Sequence, residues 1–146
     1  MLLYTNHTQM KTVYMDGVFD LFHVGHVEAI QQCQRLGDRV IIGVVGDQDA
    51  SNYKRPPIIP EDQRVSVVNN IKGVDKVVCP CPLVIDQQFI VEHHIDLVVH
   101  GFSNPADEEK QAEFFSVPKK MGIFQPIQYS SSINTTEILE KIRNQV

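Results

Sequence analysis

His23 and His26 stand three residues apart around Gly25, in the run Asp16-Gly17-Val18-Phe19-Asp20-Leu21-Phe22-His23-Val24-Gly25-His26. The run follows a short apolar segment and leads into a helix-like one. Spacing of three puts both imidazoles on one side of a helix. A helix start offers unpaired N–H groups and partial positive charge. Gly25 lets an anion approach the backbone. An imidazole donates to a phosphoryl oxygen, and in its charged form it counters developing negative charge. These residue types at this spacing point to phosphate chemistry.

Two further groups fit that chemistry. Lys54 lies in Tyr53-Lys54-Arg55-Pro56-Pro57-Ile58, where it reads as a mobile point charge on a loop stiffened by prolines. Arg64 follows Pro60-Glu61-Asp62 near a helix start, where a cation is out of place. It needs an acidic partner, such as Glu61, or an anionic ligand. Asp20 either orients a histidine, fixes the loop or acts as a helix-start carboxylate.

The elements that position these groups alternate. Apolar strand-like runs fall at 12–15, 40–45, 74–79, 97–100 and, more weakly, 123–128. Helix-like stretches fall at 24–36, 61–71, 86–94, 107–121 (interrupted at Pro118) and 133–142. The last opens with Asn134 and Glu137 at capping-box spacing. Such alternation predicts βαβ units and a parallel sheet. Strands this continuously apolar suit a sheet covered on both faces. The expected fold is α/β: a single three-layer, doubly wound, Rossmann-like domain with five parallel strands over 11–146, after an N-terminal extension over 1–10. Ligands of such sheets bind beyond the carboxyl ends of the strands.

Composition bounds the rest. The chain has 146 residues, which suits one domain by the prior of roughly 100–200 residues each. Thirteen Lys and Arg against 18 Asp and Glu leave a net charge of −5, a poor start for binding nucleic acid. No apolar run approaches the roughly 18 residues of a membrane span. The start turns polar too early for a signal peptide. Cys33, Cys79 and Cys81 are odd in number, which argues for a reducing, cytoplasmic setting. Cys79-Pro80-Cys81 has no second pair to complete a zinc knuckle.

Gly17-Val18-Phe19-Asp20 followed by His23-Val24-Gly25-His26 closely resembles the signature of nucleotidyltransferases with an H-x-G-H motif. The run from Asp16 to His26 resembles the cytidylyltransferases, which join CTP to phosphocholine, phosphoethanolamine or glycerol 3-phosphate. The likeness extends from Lys11 to Ile142, through Gly43-Val44, Gly46-Asp47, Lys54, Glu61-Asp62-Gln63-Arg64, Val74-Asp75-Lys76-Val77, Ile95-Asp96-Leu97-Val98-Val99-His100-Gly101 and Ile133-Asn134-Thr135-Thr136.

The resemblance implies roles. His23 and His26 would serve the phosphates, Lys54 the triphosphate, and Arg64 would orient a phosphate. Gly17, Val18, Phe19, Asp20, Gly25, His100, Gly101, Tyr129, Ile133, Asn134 and Thr135 would lie at the nucleotide. Asp16, Leu83 and Phe102 would lie at the second substrate. Mg²⁺ would travel with CTP, with no dedicated protein metal site. A homodimer formed around the first loop and third strand is also implied.

The sequence departs from the family in three places. Leu83 stands where many relatives have Trp or Tyr, and the chain has no Trp. An aromatic ring there would favour trimethylammonium, so phosphoethanolamine is better supported than phosphocholine. Phe102-Ser103 replaces a common acidic pair. Tyr129-Ser130-Ser131-Ser132 replaces R-T-E-G, which removes a bidentate arginine. Arg55, Lys119 and Lys120 are candidate substitutes. Two other readings compete: an ATP-dependent adenylyltransferase of the same superfamily, and a nucleotide-binding regulatory module without catalysis.

Overall fold

The strands are β1 (Thr12–Gly17), β2 (Arg39–Val44), β3 (Lys76–Val78), β4 (Leu97–Gly101) and β5 (Phe124–Ile127). The helices are α1 (Val24–Leu36), α2 (Asp47–Tyr53), α3 (Glu61–Asn69), α4 (Gln87–Glu92), α5 (Pro105–Lys110), α6 (Ser116–Lys120) and α7 (Thr135–Gln145). This is a computed structural model, and it describes residues 10–129 and 133–146. The expected extension over 1–10 therefore lies outside the described residues, Met10 excepted.

All neighbouring strands pair in parallel, in the order β3-β2-β1-β4-β5. The chain winds outward from β1 to β3, then crosses back to β4 on the other side of β1. That reversal makes the loops after β1 and β4 the walls of a crevice at the switch point.

Period-two alternation builds the layers. Val13 and Met15 of β1, with Val40, Ile42 and Val44 of β2, pack beneath Ala29, Ile30 and Cys33 of α1 and Val68 of α3. Tyr14 and Ile41 face the other way, with Ile90 of α4, Ile85, Val98 and Phe115. Each fully buried aliphatic side chain contributes about 1.5–3 kcal/mol, so the two faces together hold the sheet.

Three aspartates fasten the amino edge of the sheet. Asp38, Asp75 and Asp96 each stand at or just before a strand and accept the N–H of Lys11, Val40 and Thr12, at 2.9, 2.8 and 2.8 Å. Val74-Asp75 and Ile95-Asp96 therefore fix strand register rather than contact substrate.

The structure corrects two of the expected elements. First, α2 fills the stretch read as a loop, so Lys54 sits at a helix end. Second, the helix expected over 107–121 breaks at Gln111, not at Pro118. Asn104 caps a helix starting at Pro105, its side chain accepting from Asp107 N–H. A 3-10 turn over Ala112–Phe115 then leads into α6. Pro118 is the third residue of α6, where its missing N–H would have had no partner anyway.

Candidate functional site

The two histidines are a helix cap. His23 is the N-cap of α1, with extended backbone (φ −142°, ψ 179°). Its Nδ1 accepts the N–H of Gly25 at 3.0 Å, while Nδ1 of His26 accepts the N–H of His23 at 3.2 Å. This is a capping box built from imidazoles, which satisfies two otherwise unpaired donors of the first turn. Because each Nδ1 is an acceptor, each neutral ring carries its proton on Nε2. The rings stack with centroids 3.9 Å apart. Burial first, and then the neighbouring His23, push the pKa of His26 down to about 3. Burial also lowers His23. Both are therefore neutral N–H donors near neutral pH. A Cβ on Gly25 would come within 2.8 Å of Cε1 of His23. A side chain at this position would displace the overlying imidazole, so the His23 ring position depends on the glycine.

The loop before the cap is wound tightly. Phe19 and Leu21 have φ of 57° and 47°, the left-handed region that side chains disfavour. Two contacts hold it. The Phe19 ring is buried against Phe22 and His26. Asp20, 4% exposed, accepts the N–H groups of Ile58 and Ile59 at 2.8 and 2.9 Å and of Leu21 at 3.1 Å, and pairs with Arg55 at 3.3 Å. Of its three possible roles, fixing the loop is the one its contacts support. Asp20 ties the stretch after Lys54 to the histidine loop.

Arg64 is a strut, which corrects the expectation that it faces a ligand. Its side chain is 1% exposed. It donates to the carbonyls of Val18, Val45 and Ile59 at 2.7, 2.8 and 2.8 Å, and to Asp47 at 2.6 Å. Its acidic partner is Asp47, not Glu61. Asp47 and Glu61 instead exchange bonds with each other's backbone N–H at the starts of α2 and α3. One guanidinium thus joins the loops after β1 and β2 to the start of α3 with four of its five N–H groups, and Arg64 does not line the site's cavity.

Lys54 caps the carboxyl end of α2 and lies 5.5 Å above the Tyr53 ring. Burial lowers its pKa, while Asp107 opposes the shift. Across the sheet edge, Nδ1 of His100 meets Oδ1 of Asp16 at 2.7 Å, both residues buried. Next to them, a Cβ on Gly101 would lie 2.7 Å from Cε2 of Tyr129, so the Tyr129 ring rests on bare backbone. Asn134 caps α7 by accepting the N–H of Glu137 at 2.9 Å. The hydroxyl of Thr135 donates to the carbonyl of Asp20 at 3.2 Å and lies 3.5 Å from Nε2 of His23.

These groups line one cavity of about 730 Å³, within the range of small-molecule sites. Asp16, Gly17, Val18, Phe19, Asp20, His23, His26, Lys54, His100, Gly101, Tyr129, Ile133, Asn134 and Thr135 border it. Leu83 does not, because it packs with Val45, Ala50 and Cys81. Phe102 does not border it either. Its ring stacks into an aromatic cluster with His100, Phe115 and Phe124 and borders only a smaller depression beside Tyr129. Of the candidate substitutes for the lost arginine, Arg55 reaches the cavity wall and Lys119 and Lys120 do not. Ser130, Ser131 and Ser132 lie outside the described residues. Tyr53, Ser103 and Asn104 also line the cavity. Sequence reasoning missed Tyr53 because it missed α2. The Asn104-Pro105 pair was a readable helix-start signal. Among the described residues, no group of three or more His, Cys, Asp or Glu gathers to hold a metal ion. None of the described helices is long and apolar enough to cross a membrane.

The sequence model of the cytidylyltransferase-like family matches residues 14–141. An ethanolamine-phosphate cytidylyltransferase of Dictyostelium discoideum is 37% identical over 138 residues, covering 90% of this chain and 38% of that protein. The Arabidopsis thaliana protein of the same name is 33% identical, over 89% of this chain and 32% of its own. Choline-phosphate cytidylyltransferase A of Homo sapiens is 34% identical, over 89% and 36%. The chain thus spans about a third of the length of these relatives. Among solved structures, a lipopolysaccharide core biosynthesis protein of Thermoplasma volcanium superposes with a TM-score of 0.67 at 28% identity, over 86% of this chain and all of that one.

Proposed function

Because this chain belongs to the cytidylyltransferase-like family, we propose that it transfers the cytidylyl group of CTP to a phospho-alcohol, releasing pyrophosphate. The observation that carries this reading is one cavity that joins two neutral imidazole donors, Lys54 and Arg55 with the carboxylate of Asp16 and the rings of Tyr53 and Tyr129. The first set suits phosphates. The second suits an ammonium head, that of phosphoethanolamine or phosphocholine, ahead of glycerol 3-phosphate. The Asp16 carboxylate, an acceptor, favours the N–H donors of phosphoethanolamine over a trimethylammonium group, which has none. The names of the relatives from Dictyostelium and Arabidopsis support the same choice.

A phosphate oxygen of the phospho-alcohol attacks the α-phosphorus of CTP in line. The bond from that phosphorus to the bridging oxygen breaks, and pyrophosphate leaves with the electron pair. The attacking phosphate is already an anion, so no general base is needed. The chain's work is positioning and neutralising charge. The Nε2–H groups of His23 and His26 donate to phosphate oxygens, Lys54 meets the triphosphate, and Thr135 holds the loop that carries the cap. Mg²⁺ bound to the triphosphate would supply charge neutralisation there, with no dedicated protein site proposed for it. Arg55 takes over part of the work of the arginine that Tyr129 replaces. We further propose a homodimer in which Val24 and Ile58, each 55% exposed beside the first loop, meet a second copy. Its cysteines, all free, suit a reducing, cytoplasmic setting.

The test is product identification by mass spectrometry with CTP or ATP and each phospho-alcohol. CDP-ethanolamine as the main product supports the reading. Transfer from ATP alone would reassign the chain to the adenylyltransferases. No transfer, with CTP still bound in calorimetry, would leave a regulatory module.

A further inference from the structure

Helix α2 ends at Tyr53, and the next residue is Lys54. The carbonyl of Tyr53 belongs to the last turn of the helix and has no partner within it. Nζ of Lys110 fills that need, donating to it at 2.7 Å across 57 positions of sequence. Lys110 is the last residue of α5. The Tyr53 ring is held from the same region, edge-on to Phe114 at 6.0 Å between centroids.

The topology makes this contact unusual. α2 follows β2, and α5 follows β4. Those strands flank β1 on opposite sides. The two helices therefore meet across the histidine loop, and the bond from Lys110 to Tyr53 spans the crevice there. Asp107, one turn before Lys110, has its own ties: its carboxylate accepts the N–H of Ser103 and the amide of Gln111. The charged groups that act on Lys54 are Asp107, Arg55, Asp16 and Lys110. Two of the four lie on α5.

We infer that Lys110 is a positioning residue: by anchoring the carboxyl end of α2, it sets where Lys54 projects into the cavity and so how tightly the triphosphate is held. The inference rests on Lys54 meeting the triphosphate. Lys110 itself does not line the cavity.

The experiment is a double-mutant cycle on the full chain, read by calorimetric titration with CTP and Mg²⁺. Lys110→Ala weakens CTP about threefold to tenfold, the size of one lost hydrogen bond. Lys110→Arg, which keeps a donor and the charge, restores most of the affinity. In a Lys54→Ala background the Lys110→Ala change adds no further loss, because the group it positions is gone. A general loosening of the fold would instead add in both backgrounds and lower the melting temperature. The outcomes separate the two readings. Unchanged CTP affinity in Lys54→Ala overturns the role of Lys54 and this inference with it. Weakened affinity in Lys54→Ala with parental affinity in Lys110→Ala overturns this inference alone. So do additive losses.

Discussion

His23 and His26 stack 3.9 Å apart, and each uses Nδ1 to accept a backbone N–H from the first turn of α1. One turn of helix thereby sets tautomer, ring orientation and charge together. A neutral imidazole whose other nitrogen is fixed is a pre-aimed donor, and pre-aimed donors need no reorganisation as charge develops.

That arrangement has a pH signature. The folded pKa of His26, about 3, lies below its ordinary 6.5. The unfolded chain therefore takes up the proton first, and stability rises with pH. The contribution is whole above about pH 6.5 and is lost as pH falls from there toward about 3. Glutamine at this position hydrogen-bonds without titrating. The difference in urea unfolding free energy between the parent and His26→Gln should shrink between about pH 7.5 and about pH 5. A constant difference contradicts the buried neutral histidine.

Gly25→Ala should separate activity from stability. The new methyl meets the His23 ring, a movable side chain, and the backbone at Gly25 is unstrained. Turnover should fall about 100-fold or more, as on loss of an aimed donor. Melting should move by only a few degrees. A parental rate would show that the ring position does not matter.

Arg64→Lys is a severe change. An ammonium cannot reach four acceptors arranged around a plane. Three buried carbonyls and Asp47 lose a partner or part of one. Unfolding free energy should drop by about 2–4 kcal/mol, measured by urea denaturation. A drop below about 0.5 kcal/mol, the range of ordinary surface changes, would contradict the strut.

Asp20→Asn sets an amide NH₂ against one of two N–H groups, that of Ile58 on Oδ2 or that of Ile59 on Oδ1, and leaves an oxygen for the other. Hydrogen exchange at one of the two amides should quicken by about tenfold or more relative to the other, matching the loss of about 1–3 kcal/mol. Amides of β1 should stay protected. Equal protection at Ile58 and Ile59 would mean that the carboxylate is not their anchor.

Much of this was legible in the sequence. The β1–loop–α1 unit follows from an apolar run, a glycine-containing loop and a helical pattern. Asn134 and Glu137 marked the start of α7 correctly. What was illegible has physical reasons. Helix α2 reads Asp47-Gln48-Asp49-Ala50-Ser51-Asn52-Tyr53, and Asp, Ser and Asn are poor helix formers. Tertiary contacts decide it: Ala50 is buried, and Asp47 is gripped by Arg64 and Glu61. The need of Arg64 for a partner was readable, but three of its acceptors are carbonyls, which no residue type announces. The histidine pair was read as two rings on one helix face. The expected helix over 24–36 places His23 just before it, as found; that His23 is itself the cap is illegible, because that role is usually filled by Ser, Thr, Asp or Asn. Leu83 was placed by analogy with relatives, and the hydrophobic cluster around Val45 claimed it.

In the proposed function, the histidine cap holds CTP for attack by a phospho-alcohol. Pyrophosphate release with Mg²⁺, CTP and phosphoethanolamine, compared between the parent and His26→Ala, tests it most directly. Release should require both substrates and fall about 100-fold or more in His26→Ala. Release at the parental rate from His26→Ala, or from ATP in place of CTP, would contradict it.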